Sequence, residues 1–181
     1  MSLIVRRGLM SKPTVCFIGC TISVITWCAG GPGWTQTIGD EAELERLRVK
    51  AEEAIASDDP DGAAMAMGRA ALMAKRLSLL HKADDGDAAR LYQGAESLFR
   101  SQEHGYRAMA LFRRAGGQLP ASSGVCGSLA LAQGNVQHAI DDLTGVAVPT
   151  PALLERAKGW RETAEDWVTV VAAMITDYQC P

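Results

Sequence analysis

The chain is poor in the residues that build β-sheets. Aromatic residues make up 6% of its 181 positions, and β-branched residues are sparse after the first forty. Alanine, leucine, methionine, glutamate and arginine are plentiful, and these residues lose the least free energy on entering a helix. Hydrophobic residues reach 48%, which is enough for a buried core. The composition therefore predicts an all-α fold.

Carboxylates are missing from the N-terminal segment. The first acidic residue is Asp40, and three cations precede it: Arg6, Arg7 and Lys12. An uncharged, mostly apolar stretch at 14–29 follows the cations, and the helix-breaking run Gly-Gly-Pro-Gly comes next. This order fits a secretory signal peptide at 1–30. The sequence therefore predicts a periplasmic or secreted protein of a bacterial envelope.

Two alternatives for the N-terminus stay open. The apolar stretch could remain as an uncleaved anchor, although it is shorter than the roughly 20 residues that cross a bilayer. Phe17-Ile18-Gly19-Cys20 is similar to a lipoprotein cleavage box, which leaves lipidation of Cys20 open. Residues 31–39 are expected to form a flexible lead-in to a helical domain at 40–181.

Motifs that carry chemistry are absent from the sequence. It has no P-loop, no dinucleotide-binding glycine motif and no nucleophile elbow. His81, His104 and His138 are scattered and do not have metal-ligand spacing. We therefore predict no catalytic, cofactor-binding or metal site. The net charge of −3 gives no electrostatic reason to expect a nucleic-acid partner.

From Asp40 onward, apolar residues recur at three- and four-residue steps between polar breaks, which is typical of amphipathic helices. Glu103-His104-Gly105 and Gly134-Asn135 are predicted to be turns between helices. The second helix has a small-residue face, to which Leu72, Leu79 and Leu80 are expected to add bulk. The predicted helices are 40–56, 62–81, 88–102, 106–115, 122–132, 136–144 and 151–178. Gly116-Gly117 is predicted to end the fourth helix, and the last is predicted to have Thr150 as its N-cap and Pro151 at its first position.

Two segments share a spacing of four, three and five residues. The first comprises Ala108, Phe112, Ala115 and Pro120, and the second comprises Ala139, Leu143, Val146 and Pro151. These residues resemble the second helix of the tetratricopeptide repeat (TPR) family. The first-helix positions are matched in part by Tyr92, Phe99, Gly127 and Gly134.

The resemblance implies antiparallel helical hairpins stacked as a short TPR-like solenoid, with the long C-terminal helix capping the stack. It also implies a concave surface that binds a peptide or a protein. A plain antiparallel helical bundle is the alternative, because it would use alanine and leucine in the same way.

The last predicted helix carries an unbroken apolar stripe. It includes Trp160, Trp167, Val171, Met174 and Tyr178 at alternating steps. The stripe is expected to pack on the preceding hairpins. The alternative is an interface for self-association or for a partner.

Two cysteines lie outside the N-terminal segment, Cys126 and Cys180. In an oxidising compartment they form an even pair, so a disulfide is possible if the last helix folds back on the fifth. Cys126 also falls at a repeat position where a free thiol would serve as a small buried hydrophobe.

We expect the chain to be an exported protein-protein interaction module or scaffold. Carboxylates in its groove would favour a basic partner: Glu96, Glu103, Asp141 and Asp142. The alternative is a structural or oligomeric subunit of an envelope assembly that uses the C-terminal helix as its interface, and an enzyme is the third hypothesis. A homo-oligomer is possible, and membrane attachment is expected only through an uncleaved or lipidated N-terminus.

Overall fold

The computed structural model describes residues 33–147 and 150–181, with side-chain positions from residue 39. This part of the chain forms five α-helices and no strands, which confirms the all-α prediction. The helices are α1 (Gly33–Ala56), α2 (Pro60–His81), α3 (Gly86–Arg114), α4 (Ser123–Leu143) and α5 (Pro151–Asp177). Within this part, no helix combines the length and apolarity needed to span a membrane. The predicted signal peptide and Cys20 lie outside the described residues.

The first helix begins earlier than the sequence suggests. Residues 33–39 were expected to be a flexible lead-in, but α1 starts at Gly33. Asp40 was interpreted as the start of the helix, yet its carboxylate faces α2 instead of capping α1. Arg76 Nε lies 3.1 Å from Asp40 Oδ2, at an angle that makes the contact an ion pair rather than an aligned hydrogen bond. The lead-in prediction is therefore wrong for 33–39.

The predicted turn at Glu103-His104-Gly105 is also wrong, because α3 runs through it without a break. Gly105 serves a packing role there. A Cβ at position 105 would lie 2.7 Å from Cζ2 of Trp167, so only glycine admits the indole of α5 at this point. The two predicted helices 88–102 and 106–115 are one helix.

The turn predicted at Gly134-Asn135 is likewise a continuous part of α4. Buried residues continue on both sides of Gly134-Asn135 at steps of three and four residues. They are Leu129, Ala132, Val136 and Ala139, and all four face the core. Asn135 Nδ2 donates to the carbonyl oxygen of Leu131 at 2.8 Å and so stays within the helix. A single glycine costs a helix about 1 kcal/mol, which this packing outweighs.

The true helix boundaries follow the capping residues of the sequence. Asp59 and Asp85 accept hydrogen bonds from the first amides of α2 and α3, at 2.8 Å from Gly62 N and 3.0 Å from Ala88 N. Gly116 and Gly117 end α3 with positive φ angles of 73° and 68°, as the predicted stop requires. Thr150 caps α5 and Pro151 opens it, which confirms both predictions.

Each helix packs against the one that follows it in the chain, and α5 also returns to α3. Tyr92 of α3 is fully buried and contacts both α1 and α5. Its hydroxyl donates to the carboxylate of Glu41 on α1 and accepts from Arg156 Nη1 on α5 at 3.1 Å. Trp160 of α5 packs edge-on against both Tyr92 and Phe99, with centroids 5.9 Å apart in each pair. We call this group the aromatic hub.

The nine residues assigned to repeat packing divide into three groups by burial. Five are buried: Tyr92, Phe99, Ala108, Ala139 and Leu143. Phe112 is half-buried and stacks on Tyr178 with centroids 4.1 Å apart. Three are exposed, namely Ala115, Gly127 and Gly134, and nothing lies within 4 Å of a Cβ built at either glycine. The packing role expected of these three is wrong, because each lies on the solvent side or at the end of its helix.

The apolar stripe of α5 is inside the chain. Trp160, Trp167, Val171 and Met174 are buried, and Tyr178 is half-buried. Trp167 meets Tyr106 of α3 edge-on at 5.3 Å. The stripe therefore covers α3 and α4, as expected, and these side chains are not free to form the alternative interface.

A disulfide and a backbone hydrogen bond link the C-terminus to the start of α4. The structure joins Cys126 and Cys180 in a disulfide that closes a separation of 54 residues. Beside it, Ala121 N donates to the carbonyl oxygen of Tyr178 at 2.9 Å. We call this pair of links the C-terminal clasp, and it holds the end of α5 against α4.

Candidate partner-binding groove between α2 and α3

The outer side of α2 exposes three large apolar side chains at intervals of seven residues. Met65, Leu72 and Leu79 are 66%, 58% and 62% exposed. The prediction that Leu72, Leu79 and Leu80 add bulk to a packed side of the helix is wrong, because all three are exposed. The buried side of α2 is built mainly from alanines, so α2 lies close to its neighbours and leaves the longer side chains outside. We call Met65, Leu72 and Leu79 the α2 ridge.

A row of arginines on α3 runs beside the ridge. Arg100, Arg107 and Arg114 are also seven residues apart, and they line the same cleft of α2 and α3 as Met65 and Leu72. Seven residues are close to two helical turns, so each row stays on one side of its helix. We call these residues the arginine row.

A buried carboxylate fixes the middle of the arginine row. Glu103 is 8% exposed and accepts from Arg100 Nη1 and Arg107 Nη2, both at 2.8 Å. It lies directly over Gly68 of α2, where a Cβ would come within 3.1 Å of Glu103 Cδ. One carboxylate thus orients two guanidinium groups and leaves a net positive charge at the surface.

The other end of the ridge has a second set of cations. Leu79 lines a cleft of α2 and α3 together with Lys75, Lys82 and Arg90. Glu96 and Asp142 are the carboxylates of this cleft, and Lys75 Nζ lies 4.0 Å from Glu96 Oε1. Burial raises the pKa of Asp142, and the neighbouring Arg90 lowers it.

Both clefts lie between α2 and α3, and we call them together the groove. Its lining has a positive balance, although the whole chain has a net charge of −3. Seven cations line them: Arg69, Lys75, Lys82, Arg90, Arg100, Arg107 and Arg114. Four carboxylates do so: Asp61, Glu96, Glu103 and Asp142. The groove was expected to be acidic. The α2–α3 groove is not acidic, because its carboxylates are outnumbered by cations and Glu103 is already paired.

Asp141, the fourth carboxylate of that expectation, faces elsewhere. It lies exposed on α4, where Gln137 Nε2 donates to its Oδ1 at 3.1 Å. Its backbone carbonyl accepts from Arg90 Nη2 at 3.3 Å, so Asp141 helps to hold a cation of the groove rather than to neutralise it.

The cleft at the aromatic hub is a poor candidate for a ligand site. It encloses ≈ 170 Å³, which is below the usual size of a small-molecule pocket. Its polar groups also satisfy one another, since Arg156 Nη1 lies 3.2 Å from Glu41 Oε2. Burial, followed by the hydrogen bond to Glu41, raises the pKa of Tyr92, so its hydroxyl stays protonated as a donor. This arrangement is that of a structural junction.

The three histidines do not come together. His81 stacks on Tyr92 with centroids 5.4 Å apart, His104 is half-buried in α3, and His138 is exposed on α4. Within residues 33–147 and 150–181, no three histidine, cysteine, aspartate or glutamate side chains are placed to hold a metal ion.

The sequence contains a signal for the groove that was not used to predict it. Both rows repeat every seven residues: Met65, Leu72 and Leu79 on α2, and Arg100, Arg107 and Arg114 on α3. Large apolar residues are usually assigned to the core, whereas here the alanines of α2 fill it.

Comparisons of the chain with protein-family models, curated proteins and solved structures found no match.

Proposed function

We propose that the chain is a protein-interaction module that binds a polypeptide partner along the groove between α2 and α3. The observation that supports this proposal is the α2 ridge. Single exposed apolar residues are normal on protein surfaces, but an aligned row beside two clefts is typical of an interaction site. Because helix-in-groove recognition uses anchors at such helical intervals, the ridge suits a polypeptide.

The finer proposal for the fold is a TPR-like stack. Helices pack in chain order, and α1, α3 and α5 converge at the aromatic hub, which supports stacked layers of helices. The two continuous helices α3 and α4 replace the shorter hairpins of regular repeats. In this proposal, partner binding takes place on the α2–α3 side rather than at the hub, where the side chains are buried.

We also propose that the chain is exported, as its N-terminal sequence indicates. The disulfide between Cys126 and Cys180 supports an oxidising compartment, since such bonds persist there and are rare in the cytosol. Mass spectrometry of the protein recovered from producing cells tests this. A start near Gly31 is expected, whereas an intact Met1 in a protein with two free thiols would contradict export.

A structural role through the C-terminal helix has less support. Its tryptophans are buried within the chain, so an interface on α5 would have to use other residues. The exposed side of α5 does include Leu154, which is 51% exposed and therefore provides a matched position for experiments.

Site-specific photo-crosslinking tests the binding proposal. A photoreactive amino acid replaces Leu72 in the groove, or Leu154 on α5 as the control, in cells that produce the full chain. We expect a discrete adduct from position 72 and none from 154. Mass spectrometry then identifies the attached segment, which is expected to belong to another polypeptide.

Two results would contradict this proposal. Equal adducts from both positions, or none from either, would show that the groove is not a preferred contact. A segment of a second copy of the chain attached to position 72 would favour the oligomeric alternative instead.

A further inference from the structure

Resting on the proposed function, we infer that the occupant of the groove is an acidic amphipathic helix. Such a helix would lay its apolar side on the α2 ridge and direct its carboxylates toward the arginine row. Two rows on the surface carry this inference, because one is apolar, the other is cationic, and both repeat every seven residues. A helical partner with one apolar and one acidic stripe complements both at once.

The dimensions suit a helix of ordinary length. Met65 and Leu79 are fourteen residues apart on α2, so the ridge is about 21 Å long at 1.5 Å per residue. A partner of about four turns or more would cover it. Leu72 would lie at the centre, with the arginine row along the first half and the lysines of the second cleft along the other.

The charge of the groove distinguishes an acidic helix from a basic one, which the apolar ridge alone would not do. Arg69 has no ion-pair partner within the described residues, and Lys75 reaches Glu96 only at 4.0 Å. Arg100 and Arg107 share one carboxylate between them, and Arg114 pairs with the exposed Asp61 at 3.0 Å. The groove therefore has positive charge left over for an incoming anion, and a basic helix would meet like charges.

A second copy of this chain fits the groove less well. The α2 ridge is symmetric about Leu72, so antiparallel pairing of two copies would align Met65 with Leu79. The same register would bring Arg69 of one copy opposite Lys75 of the other. Two like charges at the centre of the contact would oppose this pairing.

Two further occupants also match the groove poorly. The N-terminal segment of the chain carries Arg6, Arg7 and Lys12 and no carboxylate before Asp40, so its charge has the same sign as that of the groove. A nucleic acid would supply anions, but it has no apolar stripe for the ridge. The buried Glu103 and the exposed Asp61 would also lie close to its phosphates.

Peptide binding to the purified mature chain provides the test. The probe is a fluorescent helical peptide of about three heptads, with leucine on one side and glutamate on its flanks. Its matched twin has lysine in place of every glutamate. The protein variants are Arg69→Gln with Lys75→Gln in the groove, and Lys158→Gln on the exposed side of α5 as the control. The chosen cations leave the pairing of Glu103 intact.

We expect the glutamate peptide to bind about tenfold more tightly than the lysine peptide, and its affinity to fall with added salt. The groove variant should weaken binding of the glutamate peptide several-fold, while the control should leave it unchanged. Replacing Leu72 with glutamine should weaken both peptides.

Several results would overturn the inference. Equal binding of the two peptides would mean that the ridge acts without charge selection, and the proposed interaction module would survive. Binding of neither peptide would also reject the acidic helix, while crosslinking from position 72 would still decide the proposed function. Preference for a single-stranded oligonucleotide would indicate a polyanion site, and a dimer that blocks the probe would indicate a second copy.

Discussion

The two sides of α3 differ in whether their large side chains are buried or exposed. On the inner side, Tyr92 and Phe99 are buried against α5, and the polar groups of the aromatic hub bind one another. On the outer side, the arginine row faces solvent beside the exposed α2 ridge. The difference shows that the inner side holds the fold together, whereas the outer side leaves apolar and cationic side chains exposed, where we propose that a partner binds.

Glycines within the helices also differ between packed and exposed positions. Gly105 on the inner side admits Trp167, and Gly94 admits Leu143, since a Cβ at position 94 would lie 2.7 Å from Leu143 Cγ. Gly127 on α4 touches nothing within 4 Å. A glycine within a helix therefore marks a close contact in one place and is merely tolerated in another.

The largest expected effect is at the aromatic hub. Trp160→Ala should lower the free energy of unfolding by about 3–5 kcal/mol, because it empties a buried site that contacts both Tyr92 and Phe99. Guanidinium denaturation followed by circular dichroism measures this. Leu131→Ala, at a position that is 55% exposed, is the control and should change the value by less than about 0.5 kcal/mol. Similar losses for both variants would contradict the packing role of the aromatic hub.

The next effect comes from the C-terminal clasp. Cys126→Ser with Cys180→Ser should cost about 2–4 kcal/mol, since the bond constrains a loop of 54 residues in the unfolded chain. Thermal unfolding without reductant measures the loss. Binding of the glutamate peptide at a temperature where both proteins are folded should not change. A weakened peptide affinity there would show that the clasp shapes the groove as well as the inner side.

A matched pair of glycine substitutions should have opposite signs. Gly105→Ala should destabilise the protein by about 1–3 kcal/mol, because the new methyl group would collide with Trp167. Gly127→Ala should stabilise it by about 0.5–1 kcal/mol, because alanine favours the helix and meets no neighbour. Denaturation curves of both variants measure the two shifts. Equal signs would mean that the contact between α3 and α5 is looser than the structure indicates.

The smallest effect concerns pH. Burial lowers the pKa of His104, Glu103 opposes this, and Arg107 and Arg100 add to it. The folded state thus binds a proton less readily than the unfolded state, so stability is full above the ordinary value of 6.5 and falls as the pH drops toward the lower folded-state pKa.

His104→Gln should therefore flatten the decline of unfolding free energy between neutral and mildly acidic pH, and the exposed His138→Gln is its control. An unchanged slope in the His104 variant would rule out this contribution. Urea denaturation at several pH values measures both.

Sequence reasoning predicted the helical class, the caps and the burial of the α5 stripe. These features depend on local chemistry, as with Thr150 and Pro151, or on an uninterrupted period. It failed where a glycine or an asparagine was interpreted without its neighbours in space. Gly105 and Gly134 have the same local preference for turns, but contacts between helices keep α3 and α4 continuous.

The groove could have been predicted in part. The seven-residue period of the α2 ridge is visible in the sequence, but its exposure depends on which side of α2 packs. The alanine side of α2 is the one that packs, because small side chains allow helices to approach closely over a long contact. Glu103 was counted as a free carboxylate, since nothing local indicates that two arginines and Gly68 would enclose it.

The most direct test of the outer side is the stability of a variant with all three ridge residues changed to glutamine at positions 65, 72 and 79. If the ridge is a binding surface that is free in the isolated chain, guanidinium denaturation should give an unfolding free energy within about 1 kcal/mol of the parent. A loss of 2 kcal/mol or more per site, as for buried leucines, would show that the ridge is covered in solution and would contradict the account.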